Sequence, residues 1–289
     1  MKKRISISVI KAIVFLFIFF ISYDLHAYRV HCEEDSLKVM EIISDVSQKG
    51  GNLGERMVVA AHSLEGIPFA EASDNDSVAT IMVNLHGLDR FEFLNNVIAI
   101  AKTSEKIDPT FRDYVGFYES LSRRKGEDTG FSSRLFYGAD WIVDNVFRGN
   151  VKEMTEYLTG GGFKTKTFDY ISRHSDEFPA MKDSATVEKI KMVEMGYRSH
   201  RIPHLKKQSA GNKSLHELMH DGDIIFMLAP EMDYDIYDIG IVEMKDGVPY
   251  LTHLPVNPGS VTSDPYPMAR LFKLDNQHFY GYRWLRATE

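Results

Sequence analysis

Leu88-Asp89-Arg90-Phe91-Glu92-Phe93-Leu94-Asn95-Asn96-Val97 opens the stretch on which the fold reading turns. Phe93, Leu94, Val97, Ile98 and Ile100 crowd together, and the pattern predicts a buried helix over 91–103. The segments before and after it also have helical spacing. Leu37, Met40, Ile43 and Val46 predict a helix over 34–48, stopped by Gly50-Gly51. Further helices are expected at 53–64, closed by Gly66 and Pro68, and at 110–125, ended by Gly126. A loop over 127–131 then leads into an apolar run over 135–147.

The second half has a different period. Runs over 224–228, 236–244, 248–254 and 279–285 predict strands, with Asp246-Gly247 as a two-residue hairpin turn and 77–84 as a short extended piece. The stretch 163–214 is rich in Lys, Ser and Thr and predicts loops with one short helix. Gly160-Gly161-Gly162 predicts a flexible turn, because no Lys-Ser/Thr follows to make a phosphate loop. Helices followed by an antiparallel meander indicate an α+β domain, N-terminal helices packed on an antiparallel β-sheet.

The amino terminus predicts export. Lys2, Lys3 and Arg4 precede an apolar run over 12–22, and Leu25-His26-Ala27 ends in a small residue suited to cleavage. This is the layout of a signal peptide over 1–27; the run is about half the ~20 residues a span needs. An uncleaved anchor is the alternative. Cleavage would leave a single domain over 28–289 and take the formal charge from −7 to −10, by removing Lys2, Lys3, Arg4, Lys11 and Asp24. Such a chain is expected to bind neither nucleic acid nor, once cleaved, an anionic membrane. The single cysteine, Cys32, rules out an intramolecular disulfide. Arg29 and Val30 do not suit a lipoprotein site, and a terminal segment holds a nucleophile poorly, so Cys32 reads as the start of the first helix.

Two motifs invite metal chemistry. His216-Glu217-Leu218-Met219-His220 matches the H-E-x-x-H pattern in which two His residues on one helical face bind zinc and the Glu acts as base. Asp221-Gly222-Asp223 follows at once, leaving the helix little length, and no third ligand stands at a convincing spacing. Asp233, Asp235 and Asp238 offer oxygens to Ca²⁺ but lack the Gly and closing Glu of an EF-hand. No metal or other cofactor is expected, and zinc peptidase activity stands as an alternative.

Three segments together carry a resemblance. Leu88 to Val97 is similar to a family segment Leu-Asp-Cys-Thr-Thr-Phe-Val-Glu-Asn-Val. Ser133-Arg134-Leu135-Phe136-Tyr137, with Asp140-Trp141 behind it, is similar to Ser-Arg-Leu-His-Tyr and Asp-Trp. Gly222-Asp223-Ile224-Ile225, Asp235-Ile236-Tyr237-Asp238-Ile239-Gly240-Ile241 and His253 are similar to Gly-Asp-Ile-Ile, Asp-Ile-Ser-His-Val-Gly-Ile and a His-Ala-Ser stretch. The chain thus resembles the N-acetylmuramoyl-L-alanine amidase-like family (domain of unknown function 1460), a branch of the NlpC-type papain-like cell-wall hydrolases. The likeness runs from about Leu53 to Arg286.

The resemblance implies a papain-like fold and papain chemistry, in which a thiolate at a helix start attacks an amide while a His relays the proton. This sequence departs from the pattern there. Arg90 stands at the nucleophile position, Asp238 at the base position and His253 at a third polar position, while Phe136 replaces a further polar residue. A guanidinium is no nucleophile at neutral pH. Replacing a negative helix residue and a positive strand residue by the reverse predicts an Arg90–Asp238 ion pair. Asp89, Arg134, Tyr137, Trp141 and Tyr237 are expected to line the cleft, with packing the stronger role for Trp141. The implied function is a catalytically dead, periplasmic or secreted bacterial homologue that binds peptidoglycan fragments or a protein partner. A hydrolase using Asp89, Asp238 and His253 as acid–base groups is the other alternative.

Overall fold

The computed structural model describes residues 28–30, 33–70, 81–126, 130–155, 161–230, 234–257, 259–275 and 277–289. The signal-peptide reading of 1–27, Cys32 and Asp233 lie outside the described residues. β1 (Tyr28–Val30) pairs in parallel with β2 (Ile81–Val83). Between them come α1 (Glu33–Lys49) and α2 (Leu53–Ser63), followed by α3 (Arg90–Ser104) and α4 (Phe111–Ser122). α3 is the helical hub, against which α1, α2, α4 and the sheet all pack. Phe93, Leu94, Val97, Ile98 and Ile100 are fully buried, as is Ala99 on another side, so the helix is apolar nearly all round. Each such large side chain contributes roughly 1.5–3 kcal/mol when removed from water.

α5 (Gly138–Phe147) and β3 (Val151–Glu153) lead into β4 (Gly161–Lys166), α6 (Tyr170–Arg173), α7 (Ser184–Gly196) and β5 (His200–Lys206). After α8 (Lys213–His216) come β6 (Ile224–Leu228), β7 (Ile236–Lys245), β8 (Val248–His253), β9 (Thr262–Ser263), α9 (Met268–Leu274) and β10 (Gly281–Ala287). The main sheet runs β4-β5-β10-β6-β7-β8-β9, with β3 also on β10, and its pairings are antiparallel. The expected α+β arrangement, N-terminal helices on an antiparallel sheet, is therefore present.

β6 shows why its sequence is an unbroken apolar run. Ile224, Phe226 and Leu228 join the core under the helices. Ile225 and Met227 point the other way, into a second core with Trp284, Tyr282 and Phe272. A strand buried on both faces has no polar side to alternate. The β7–β8 turn takes Asp246 and Gly247 both at positive φ, 51° and 75°, the backbone that a two-residue hairpin needs. Between Met227 and Leu228 the β6–β7 register shifts: Met227 faces Asp238 and Leu228 faces Ile236, leaving Tyr237 as the extra residue of a bulge. That bulge immediately precedes Asp238 and sets where its side chain points.

The stretch 163–214 departs from expectation. It holds two strands, β4 and β5, and the 13-residue helix α7. β4 is an edge strand carrying Lys164 and Lys166, with Phe163 61% exposed, so it lacks the usual alternation. β5 contains Pro203, a residue that argues against strand. α7 buries few of its residues, Ile190 among them. The expected turn at Gly160-Gly161-Gly162 also fails, since Gly161 and Gly162 start β4; a Cβ on Gly161 would sit 2.8 Å from the His204 carbonyl oxygen. Gly160 is outside the described residues. Among the described residues no helix is long and apolar enough to cross a membrane.

Candidate active site

The head of α3 is fixed by a reciprocal cap. Asp89 Oδ1 accepts from the Glu92 amide at 2.7 Å, and Glu92 Oε2 accepts from the Asp89 amide at 2.8 Å. The first helical residue is therefore Arg90. A cation there opposes the helix dipole by about 0.3–1 kcal/mol. The sheet supplies a counter-charge: Arg90 Nε lies 3.5 Å from Asp238 Oδ1. The expected ion pair is thus in contact, although it is not a hydrogen bond. The guanidinium carbon sits 5.1 Å from the Phe69 ring centre. The Arg90 side chain is 19% exposed, and its terminal nitrogens make no hydrogen bond to any described residue.

Asp238 is the hub of the cluster. Its Oδ1 accepts from the Ile239 amide at 2.8 Å, and its Oδ2 lies 2.7 Å from His253 Nδ1. His253 is across the β7–β8 ladder, opposite Gly240. His253 Nε2 is 3.6 Å from Asp264 Oδ2, an ion-pair contact just outside hydrogen-bonding range. Arg90, Asp238, His253 and Asp264 form a chain of alternating charge. Burial alone would lower the imidazole's pKa. The charge and hydrogen bond of Asp238, joined by Asp264, outweigh burial and push it up to about 9. Burial raises the Asp264 carboxyl, but its contact with His253 and the Tyr266 amide bring it below its ordinary value.

The linkage follows from these directions. His253 has a folded-state pKa above its ordinary 6.5, so its contribution is fully present below about pH 6.5 and lost as pH rises through about 9. Asp264 acts in the opposite sense, contributing above its ordinary range and losing that contribution as pH falls. Around neutral pH these directions keep His253 protonated and Asp264 ionised. A group already protonated cannot take a proton from a nucleophile.

The other expected site residues divide. Arg134 reaches the head of α3, with Nη2 3.6 Å from Asp89 Oδ2 and its guanidinium over Phe136. Asp89 is a helix cap and ion-pair partner. Tyr237 stacks on His278 and Phe279 beside Asp238, and burial is the main cause raising its phenol. Tyr137 does not line the cleft. It is buried, its hydroxyl donates to Glu194 Oε1 at 2.8 Å and accepts from the Ile171 amide, and its ring packs on Phe168. Trp141 is also wholly buried, against Phe226, so packing is its role. Sequence reading missed Asp264, which only the β8–β9 pairing brings beside His253.

The metal motifs do not assemble. α8 ends at His216, whose Nε2 lies 2.7 Å from the Ala210 carbonyl, so no helix presents His216 and His220 on one face. The backbone of His220 instead donates to Asp223. Asp235 accepts from the Gly138 and Ala139 amides and caps α5 from across the fold. This explains why the apolar run over 135–147 becomes helix only at Gly138, where a Cβ would lie 2.2 Å from Ile236 Cγ1. Among the described residues no group of three or more His, Cys, Asp or Glu could hold a metal ion.

The sequence signature of the AmiA-like family, N-acetylmuramoyl-L-alanine amidase-like, matches residues 65–272. The chain belongs to this amidase-like family. The matched span contains Arg90, Asp238, His253 and Asp264. Solved structures share the amidase-like architecture. A Bacteroides uniformis N-acetylmuramoyl-L-alanine amidase superposes with a TM-score of 0.72 at 23% identity, over 83% of this chain and 100% of that one. A Legionella pneumophila protein of domain-of-unknown-function family 1460 superposes with a TM-score of 0.68 at 12% identity, over 89% of this chain and 95% of that one. At these identities the likeness establishes the fold. No curated protein matches the chain.

Proposed function

We propose that this amidase-like protein is an exported pseudoenzyme of papain-like, NlpC type, whose cleft binds peptidoglycan fragments without cutting them. One observation carries the reading: the seat at the head of α3 holds Arg90, which is paired with Asp238. A guanidinium cannot serve as nucleophile. Asp238 is engaged by Arg90 and His253, and His253 is an imidazolium at neutral pH. A hydrolase built on Asp238 and His253 would need a base that is free at neutral pH. The terminal nitrogens of Arg90 suit a ligand carboxylate, which stem peptides of the cell wall supply. Arg134 stands beside it at the mouth.

The test is incubation of the protein with muropeptides, with and without a zinc chelator, read by mass spectrometry. Binding without a free muramic acid product is expected. Product formation that survives the chelator would show an altered acid–base hydrolase, and product lost to the chelator would show a metal enzyme.

A further inference from the structure

A cavity of about 50 Å³ lies between α3, α4 and the segment leading into α5. Its size suits about four waters or one group of about four non-hydrogen atoms. Three of the polar side chains in its wall carry a donor with no partner among the described residues. Asn95 is buried, and its orientation is fixed: the indole nitrogen of Trp141 can only donate, and it does so to Asn95 Oδ1 at 3.0 Å. The Asn95 amide nitrogen is therefore turned away from Trp141 and makes no hydrogen bond to any described residue. Tyr118 is 6% exposed, and its hydroxyl likewise makes none. Burial, then the nearby Glu92, holds that phenol neutral and able to donate. Ser122 Oγ is buried without a partner among the described residues.

Folded proteins seldom leave several buried donors unused around one space. The charges in the wall cancel in sign, Asp89 and Glu92 against Arg123 and Arg134, so nothing selects an anion. Phe91 and Leu135 supply apolar surface beside the donors. We propose that the cavity binds the carboxamide of a neutral ligand, an N-acyl group. Its carbonyl oxygen accepts from Asn95 and Tyr118, and its alkyl part packs on Phe91 and Leu135. The inference goes beyond the reading of the Arg90 seat and does not lean on it. Turnover in the cleft would leave the carboxamide pocket standing, and failure of the pocket to bind would leave the inert seat standing.

Acetamide and acetate are the probes, titrated into the whole protein and followed by ligand-observed NMR. Acetamide is expected to saturate, and acetate to bind several-fold more weakly. Tyr118→Phe should weaken acetamide roughly five- to tenfold, the value of one hydrogen bond, while leaving the melting temperature unchanged. Ser122→Ala should weaken it less, also without loss of fold. Equal or tighter binding of acetate, unaltered acetamide binding by Tyr118→Phe, or no saturation at all (a cavity for water only) would overturn the proposal. So would a marked drop in the Tyr118→Phe melting temperature, which would give the hydroxyl a structural partner.

Discussion

Arg90→Cys combined with Asp238→His is expected to give measurable muropeptide turnover where the parent protein gives none. The double change restores, on the proposed reading, a thiol at the head of α3 and an imidazole on β7. The helix start is already fixed by the Asp89–Glu92 cap, so the new thiol would gain acidity from the positive end of the helix and from the imidazole. Reach is the limiting factor. A cysteine sulfur stops two bonds short of the arginine Nε, and an imidazole extends only one bond beyond a carboxylate. The existing contact of 3.5 Å would therefore widen, and activity well below that of a working amidase is expected. The useful comparison is with Arg90→Cys alone, which keeps Asp238 and lacks the base. A positioned general base contributes about 10²–10⁴-fold, and the double variant should exceed the single by about 10²-fold. Equal rates for the two would mean that positions 90 and 238 are not the seats of a dyad.

Asp238→Ala is expected to destabilise the fold by about 3–5 kcal/mol, measured by urea denaturation at pH 7. The side chain is 3% exposed and holds two cations at once, Arg90 and the His253 imidazolium. Its removal leaves a buried imidazolium facing Asp264 alone across 3.6 Å, and it also deletes the acceptor for the Ile239 amide. Breaking a buried pair from one side costs more than the pair is worth, because the surviving charge stays desolvated. Arg90→Ala should cost less, since that side chain is partly exposed and its contact is not a hydrogen bond. Asp108→Ala, at an exposed position, serves as the control and should change stability by less than about 0.5 kcal/mol. A cost for Asp238→Ala as small as the control's would mean that the cluster is freely solvated.

Much of the architecture was legible because the responsible residues act locally. The apolar positions of α1 to α4 repeat with helical period, and their ends carry caps and glycines. The β7–β8 hairpin is announced by Asp246-Gly247, whose positive φ values few other pairs tolerate. What was missed depends on neighbours distant in the chain. β4 is an edge strand whose buried Lys166 is held by the Ala229 and Tyr234 carbonyls, and β5 carries Pro203 despite lying between two strands. The Arg90–Asp238 contact was readable because the resemblance supplied a three-dimensional template for two positions 148 residues apart. Asp264 had no such signal, since a carboxylate in a turn becomes a partner of His253 only when β9 pairs with β8. Tyr137 was misjudged for the same reason. Glu194 lies on α7, within a stretch where the sequence predicts a short helix without placing it, and it turns the Tyr137 hydroxyl inward.

The charge state of His253 can be read directly, by following its imidazole ¹⁵N resonances as pH is raised from 5 to 10. A locked relay of Arg90, Asp238, His253 and Asp264 predicts that the ring remains doubly protonated through neutrality and titrates near 9. An imidazole that loses its proton at or below its ordinary 6.5 would contradict this, and would return to the cleft a free base at neutral pH.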